Sequence, residues 1–187
     1  MYNIDKTILK FRQEKAKDKI NLEDGLYVKD ELLRFIRFNL LGNKFSVMLP
    51  STFSIMPLHL AEIKYPSVQR PKEIWSSPDT ETNFGISHLD VEVKPEEVIE
   101  TTKEAKMILQ KTNPHMEFYK SGFEELPDCK LAWFDYKSFG IGQDMYNIMF
   151  ISSVEGKMLH GVFVCLFDEL ETWSDIALKI VQSIKVA

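Results

Sequence analysis

The chain has 187 residues, 44% hydrophobic and 27% charged, with a net charge of −5. That length suits one domain with its own core, and the modest acidity excludes a basic footprint for nucleic acid or an anionic bilayer. Two cysteines, Cys129 and Cys165, are too few for a disulfide framework, and no apolar run is long enough to span a bilayer.

The first thirty residues are the most charged part, with basic and acidic side chains in quick alternation from Lys10 to Lys19. A solvated helix and a mobile arm fit that pattern equally. Leu26, Val28, Leu32 and Leu33 predict that the chain docks just before its first clear strand, so residues 1–33 read as an arm or docking segment and 34–187 as a single domain. The opening Met1-Tyr2-Asn3-Ile4-Asp5-Lys6 holds no apolar leader core. Unless an export signal precedes it, a reduced, cytoplasmic protein without membrane insertion is expected.

Arg34 to Leu41 and Lys44 to Leu49 are strand-like, and Gly42-Asn43 between them predicts a two-residue primed turn. Pro50 ends the second strand. Ser51 to Met56 reads as one helical turn capped by Ser51 or Thr52. Next comes Ile63-Lys64-Tyr65-Pro66-Ser67-Val68-Gln69-Arg70-Pro71. Each proline fixes its own φ and turns the preceding residue away from helix, so Tyr65 and Arg70 are held in extended backbone. Glu73 to Ser76 and Asn83 to Val93 read as strands joined at a Ser-Pro-Asp turn.

Lys94-Pro95-Glu96-Glu97 opens a helix, with proline at the first helical position and acids opposing the positive end of the dipole. Val98, Thr102, Ala105, Ile108 and Leu109 recur at helical spacing, and Asn113-Pro114 stops the run. Met116 to Leu126, Lys130 to Ile141, Asp144 to Ser153 and Lys157 to Phe167 read as four successive strands, and their short connections argue for an antiparallel meander. The closing helix carries an apolar stripe of Trp173, Ile176, Ala177, Ile180, Val181 and Ile184, preceded by Asp168 and Glu171 as a capping box. The run Leu159 to Leu166 is apolar on both alternating sets, as a strand covered on both faces would be. The expected architecture is α+β: an antiparallel meander sandwiched between helices.

Candidate chemistry is sparse. His59, His88, His115 and His160 fall in no HxxxH or HExxH spacing, and the cysteines form no CxxC. His88-Leu89-Asp90 puts two ligand types on one strand face, one or two short of a zinc site. Cys165, between Val164 and Leu166, reads as a buried thiol rather than a nucleophile, with His160 on the other strand face. A bridge from Cys129 to Cys165 stays open. Gly140-Ile141-Gly142 leads into a strand and lacks the helix start that a phosphate loop needs. Asp135, in an aromatic strand, reads as an acid paired with Lys137 or with a residue on a neighbouring strand; a shifted, functional carboxylate is the other account. No catalytic set, metal site or cofactor is expected, so the chain is read as a non-enzyme. Tyr65, Arg70 and Trp75 are the surface recognition candidates, because Tyr and Trp supply rigid contact area and Arg supplies directed hydrogen bonds. Arg70 has a second reading, as a pin to Asp79 or Glu81. The surplus of aromatic and methionine side chains favours an apolar groove for a partner.

The hairpin ending Phe45-Ser46-Val47-Met48-Leu49-Pro50, Phe53, the Tyr65-Pro66 and Arg70-Pro71 loop, the meander after a long helix, and a closing helix with Trp173 and Ser183-Ile184 together resemble the PsbP-like fold superfamily. That group includes the photosystem II extrinsic subunit PsbP, a eukaryotic Ran-binding nucleotide-release factor and small bacterial proteins, some of them chaperones. The resemblance spans residues 34–187. It implies a non-catalytic domain that binds a protein or peptide partner, and a chaperone, adaptor or immunity-type role is expected, with the chain a monomer or homodimer. The alternative is a small-molecule or lipid-binding protein with an apolar pocket between sheet and helix.

Overall fold

A computed structural model of the chain describes residues 20–28, 31–140 and 142–186; the alternating-charge run from Lys10 to Lys19 lies outside the described residues. The chain enters through a 3₁₀ turn, Leu22–Asp24, started by Asn21, whose side chain accepts the Glu23 N–H at 3.1 Å. Strands β1 (Leu26–Val28) and β2 (Glu31–Leu33) pair antiparallel, with Leu26 opposite Leu33. Buried Leu22 and half-buried Leu26, Val28 and Leu33 pack against the main core, while Leu32 stays exposed.

Strands β3 (Phe35–Leu40) and β4 (Phe45–Pro50) form the expected hairpin, with Leu40 opposite Phe45. The connection is four residues, not two. Leu41, Gly42 and Asn43 take φ of 51°, 70° and 68° in succession. Leu41 is drawn into the turn because its N–H donates to Glu73 Oε1 at 2.7 Å, a bond between segments far apart in sequence that local turn chemistry does not encode. The helical turn expected at Ser51 to Met56 does not form. The Phe53 N–H closes a tight turn onto the Pro50 carbonyl, and Ser54–Ile55 becomes β5, paired with Ser76 and Trp75. A seven-residue helix, α1 (Leu58–Lys64), follows Pro57 and buries Ala61 against Met56 and Ile74.

Strands β6 (Glu73–Ser76) and β7 (Asn83–Glu92), helix α2 (Val98–Thr112), then β8 (Glu117–Glu125), β9 (Lys130–Phe139), β10 (Asp144–Val154) and β11 (Lys157–Leu166) follow the sequence expectation. Pro95 sits in the turn ahead of α2, because Lys94 and Glu97 bond to each other through backbone and carboxylate before the helix begins. Seven strands form one antiparallel sheet in the order β5-β6-β7-β11-β10-β9-β8. The closing helix α3 (Leu170–Gln182) is preceded by a 3₁₀ turn, Phe167–Glu169, so the capping box of Asp168 and Glu171 is not made; Glu169 instead accepts the Trp173 indole N–H at 3.1 Å. The expected stripe is the buried face: Trp173, Ile176, Ala177, Ile180 and Val181. After it, β12 (Lys185–Val186) adds to β4 and completes a small sheet, β12-β4-β3.

Alternation along the strands sorts the core into two sides. On one, Phe84, Ile86, Leu131, Ile148, Phe150, Leu159 and Phe163 meet α3 and the small sheet in a single cluster. On the other, Ala132 meets Val98 of α2 together with Val93 and Met158. Gly161 lies directly beneath the Phe150 ring, where a Cβ would come within 2.0 Å of ring carbon. The strand gives up a side chain there so that an aromatic can lie flat across it.

Candidate functional site

The three sequence candidates separate in space. Trp75 is a correction: it is 9% exposed, not a surface residue. Residue alternation turns it to the α3 side of the sheet, where its ring packs at 4.6 Å on Phe38 of β3 and its indole N–H reaches Glu73 Oε2 at 3.4 Å. Because Glu73 also holds Leu41, this pair clamps the small sheet to the large one. Arg70 bonds neither Asp79 nor Glu81. It meets Glu62 of α1 at 3.4 Å, with both side chains partly in water. Tyr65 caps α1 at φ −126° and ψ 72°, turned out of the helical region by the following proline but short of the extended backbone expected, and is half-buried. Burial, and then the neighbouring Tyr136, push its phenol up to about 12, so it stays a neutral hydroxyl near neutral pH.

The loop that carries Tyr65 and Arg70 is seated on the sheet. Pro71 lies over Gly85, where an added Cβ would sit 2.6 Å from its Cγ, and the Lys72 N–H donates to Ser87 Oγ at 2.9 Å. These contacts fix one wall of a cleft of about 450 Å³. Lys64 and Tyr65 form that wall, and Glu81 and Asn83 come from the β6–β7 turn and the start of β7. Ser138 comes from the end of β9, Gly140 and Gln143 from the β9–β10 turn, and Met145, Asn147, Val164 and Leu166 form the floor. A second hollow of about 430 Å³ lies across the same β9–β10 turn and shares Gly140, Gln143 and Leu166 with it.

The electrostatics of the cleft are set by the β6–β7 turn. Burial alone would raise the Asp79 carboxyl, but bonds from the Ser77 hydroxyl and the Glu81 N–H, with the Lys64 charge, hold it below the usual range. The Lys64 ammonium donates to the Thr80 carbonyl, and so does Asn83 Nδ2, at 3.1 Å. On the floor, Asn147 Nδ2 donates to Ser138 Oγ at 2.9 Å and to the Met145 carbonyl at 3.2 Å. Asn83 is 3% exposed, yet its Oδ1 meets no donor among the described residues.

The other candidates are engaged elsewhere. His88 Nε2 lies 3.2 Å from the Val154 carbonyl while Asp90 pairs with Lys157 at 2.6 Å. Among the described residues no group of three His, Cys, Asp or Glu side chains could hold a metal ion. Cys129 and Cys165 are free and buried, and burial followed by the charge of Glu169 pushes the Cys165 thiol up to about 12. Asp135 pairs with neighbouring strands rather than with Lys137. Its Oδ1 accepts the Lys120 N–H, which a β-bulge in β8 takes out of the ladder, and its Oδ2 accepts the Tyr146 hydroxyl at 2.9 Å. Lys137 pairs with Asp144 at 2.8 Å.

Of the cleft residues, sequence reasoning singled out Tyr65 and read the Ser-Pro-Asp and Gly-x-Gly segments as turns. It missed Glu81, Asn83 and Gln143. A signal existed, because alternate turns of a meander fall at the same end of a sheet. Bringing Asn83 beside Val164, however, depends on the β7–β11 pairing, and 65 residues separate those strands even at their nearest paired positions, Glu92 and Lys157.

No family model and no curated protein sequence matches the chain. Solved structures do. The cyanobacterial PsbP of Synechocystis sp. PCC 6803 matches with a TM-score of 0.57 over 87% of this chain and 98% of its own, at 9% identity. LpqN, involved in cell envelope biogenesis of Mycobacterium tuberculosis, matches at 0.53 over 86% and 95%, with 12% identity. A Bacteroides thetaiotaomicron protein matches at 0.52 and 12% identity over 81% of this chain but 48% of its own. Likeness at these identities is of fold alone. The chain is an α+β protein with an antiparallel sheet and a PsbP-like fold. Among the described residues, no helix is long and apolar enough to cross a membrane.

Proposed function

We propose that this chain is a non-catalytic binding protein whose partner is a protein or peptide, in a chaperone, adaptor or immunity-type role. Its frame is three-layered, with α2 outside one face of the large sheet and α3 with the small sheet outside the other. The observation that carries the reading is the stretch from β5 to the proline-bracketed loop. Ile55, Leu58, Ile63 and Val68 are exposed there by 56%, 66%, 74% and 96%. Single exposed apolar side chains are ordinary, but four within fourteen residues beside a cleft offer apolar area that a partner would remove from water. The two free, buried thiols fit a reducing compartment such as the cytoplasm.

A photo-crosslinking residue at Val68, in the full chain in its native cells, tests the proposal. One discrete crosslinked polypeptide is expected, and Ile63→Glu should abolish it. The small-molecule reading draws on the cleft volume, which falls in the usual range for ligand pockets. Absence of any crosslink, together with a stoichiometric small molecule in the intact mass, would transfer the function to that reading.

A further inference from the structure

We infer that the cleft under Tyr65 recognises the main-chain N–H of a polypeptide, with Asn83 Oδ1 as acceptor and the ends of β10 and β11 as seat for the adjoining aliphatic side chain. The inference rests on the polypeptide-binding reading above and adds the atom that does the recognising. Asn83 Nδ2 is committed to the Thr80 carbonyl at 3.1 Å, which fixes the amide: flipping it would set two oxygens face to face. The acceptor end therefore points away from that bond. It is the one buried side-chain oxygen or nitrogen without a partner among the described residues. Native structures satisfy nearly all such groups, so each exception asks for an explanation. Strand propensity supplies none, since Asn is disfavoured in a central strand where Val or Thr would suit.

The surroundings select the ligand chemistry. Glu81, half-buried on the same turn, makes no ion pair among the described residues, and the Lys64 ammonium of the cleft wall is engaged by the Thr80 carbonyl, so the groups left open beside Asn83 are acceptors. An anion would meet two acceptor groups there, whereas an N–H donor is complementary to both. Beside them, half-buried Met145 and Leu166 and buried Val164 form an apolar surface. A polar acceptor next to an apolar seat matches the repeating unit of an extended peptide, in which each amide N–H neighbours a side chain.

Titration of the isotope-labelled full chain with N-acetyl-leucine methylamide, followed by NMR, tests this. Saturable shifts are expected at the Asn83 side-chain amide and the Val164 and Leu166 methyls, with a Kd on the order of 1 mM, the affinity a ligand of about a dozen heavy atoms reaches. The same compound methylated on both nitrogens should bind about tenfold more weakly, the loss of roughly one hydrogen bond. Asn83→Leu should weaken the parent probe to a similar degree. Flat resonances up to about 20 mM, well past the affinity expected for this size, would overturn the inference, as would equal binding of the methylated probe. If a Val68 crosslink forms while the cleft stays silent, this inference fails and the polypeptide-binding reading stands.

Discussion

Two charged side chains, Asp135 and Arg70, show how environment sets what a residue is worth. Asp135 is 5% exposed and accepts from the Lys120 N–H at the bulge, in an exposed residue of the edge strand β8, and from the hydroxyl of Tyr146, itself 1% exposed. Removing the carboxylate strands the buried hydroxyl. A buried donor left unmatched costs about 1–3 kcal/mol, so Asp135→Ala should lower the unfolding free energy by about that much. Urea denaturation measures it, and a loss under about 1 kcal/mol would show that this carboxylate is not a structural acceptor. Arg70 is the opposite case. Its pair with Glu62 lies partly in solvent at 3.4 Å, and such pairs contribute about 0–1 kcal/mol. Arg70→Ala should leave the melting temperature nearly unchanged; a large drop would make the residue a structural pin of the loop.

At the scale of elements, the proline-bracketed loop is held at its far end by one close approach, Pro71 on Gly85. Neither partner can give way: the proline ring is rigid, and Gly85 lies in a strand paired on both sides, with Ile74 and Val162. A methyl group at residue 85 must therefore lift the loop. Gly85→Ala should cost about 1–3 kcal/mol, as overpacking does, and should speed hydrogen exchange at the Lys72 N–H, whose bond to Ser87 Oγ depends on that seating. Unchanged protection at Lys72 would refute the coupling. Helix α2, strands β8 to β11 and the stripe of α3 were legible in the sequence because each is encoded by its own local period and turn residues. Helix α1 was not: its one buried side chain is Ala61, which leaves no apolar stripe to read. Strand β12 was equally silent, since two residues acquire strand geometry from β4 across the chain rather than from their own propensity. Trp75 was misplaced for a related reason. An aromatic after a proline-rich loop resembles a displayed side chain until strand alternation and Phe38 decide which face it takes. The cleft was the least legible part, as its walls come from two turns and the end of a helix that only the finished sheet brings together.

For the whole molecule, the buried titratable groups predict where stability fails with pH. Burial holds the Tyr136 phenol at about 12, and burial with the nearby Tyr136 does the same for Tyr65. Burial chiefly, then the charge and hydrogen bond of Asp135, raise Tyr146 further, and the Cys165 thiol reaches about 12 from an ordinary value of 9. Each of these groups is neutral when protonated, and each keeps its proton longer in the folded chain than in the unfolded one. Between the ordinary value and the folded value, unfolding therefore releases protons, and rising pH favours the unfolded state. Stability should hold up to about pH 9 and fall steeply towards pH 12, by about 1.4 kcal/mol for each unit by which a buried group is displaced. His160 works at the other end. Burial lowers its imidazole from 6.5, so the unfolded chain takes up a proton below that value while the folded chain resists, and stability declines as the pH falls through the folded value. Urea midpoints across the range should trace a plateau with an alkaline collapse, and Tyr136→Phe, which removes one displaced phenol, should make the collapse shallower. A midpoint unchanged to pH 11 would mean that these phenols and the thiol reach water in the native protein, and the tightly closed sheet core would then have to be abandoned.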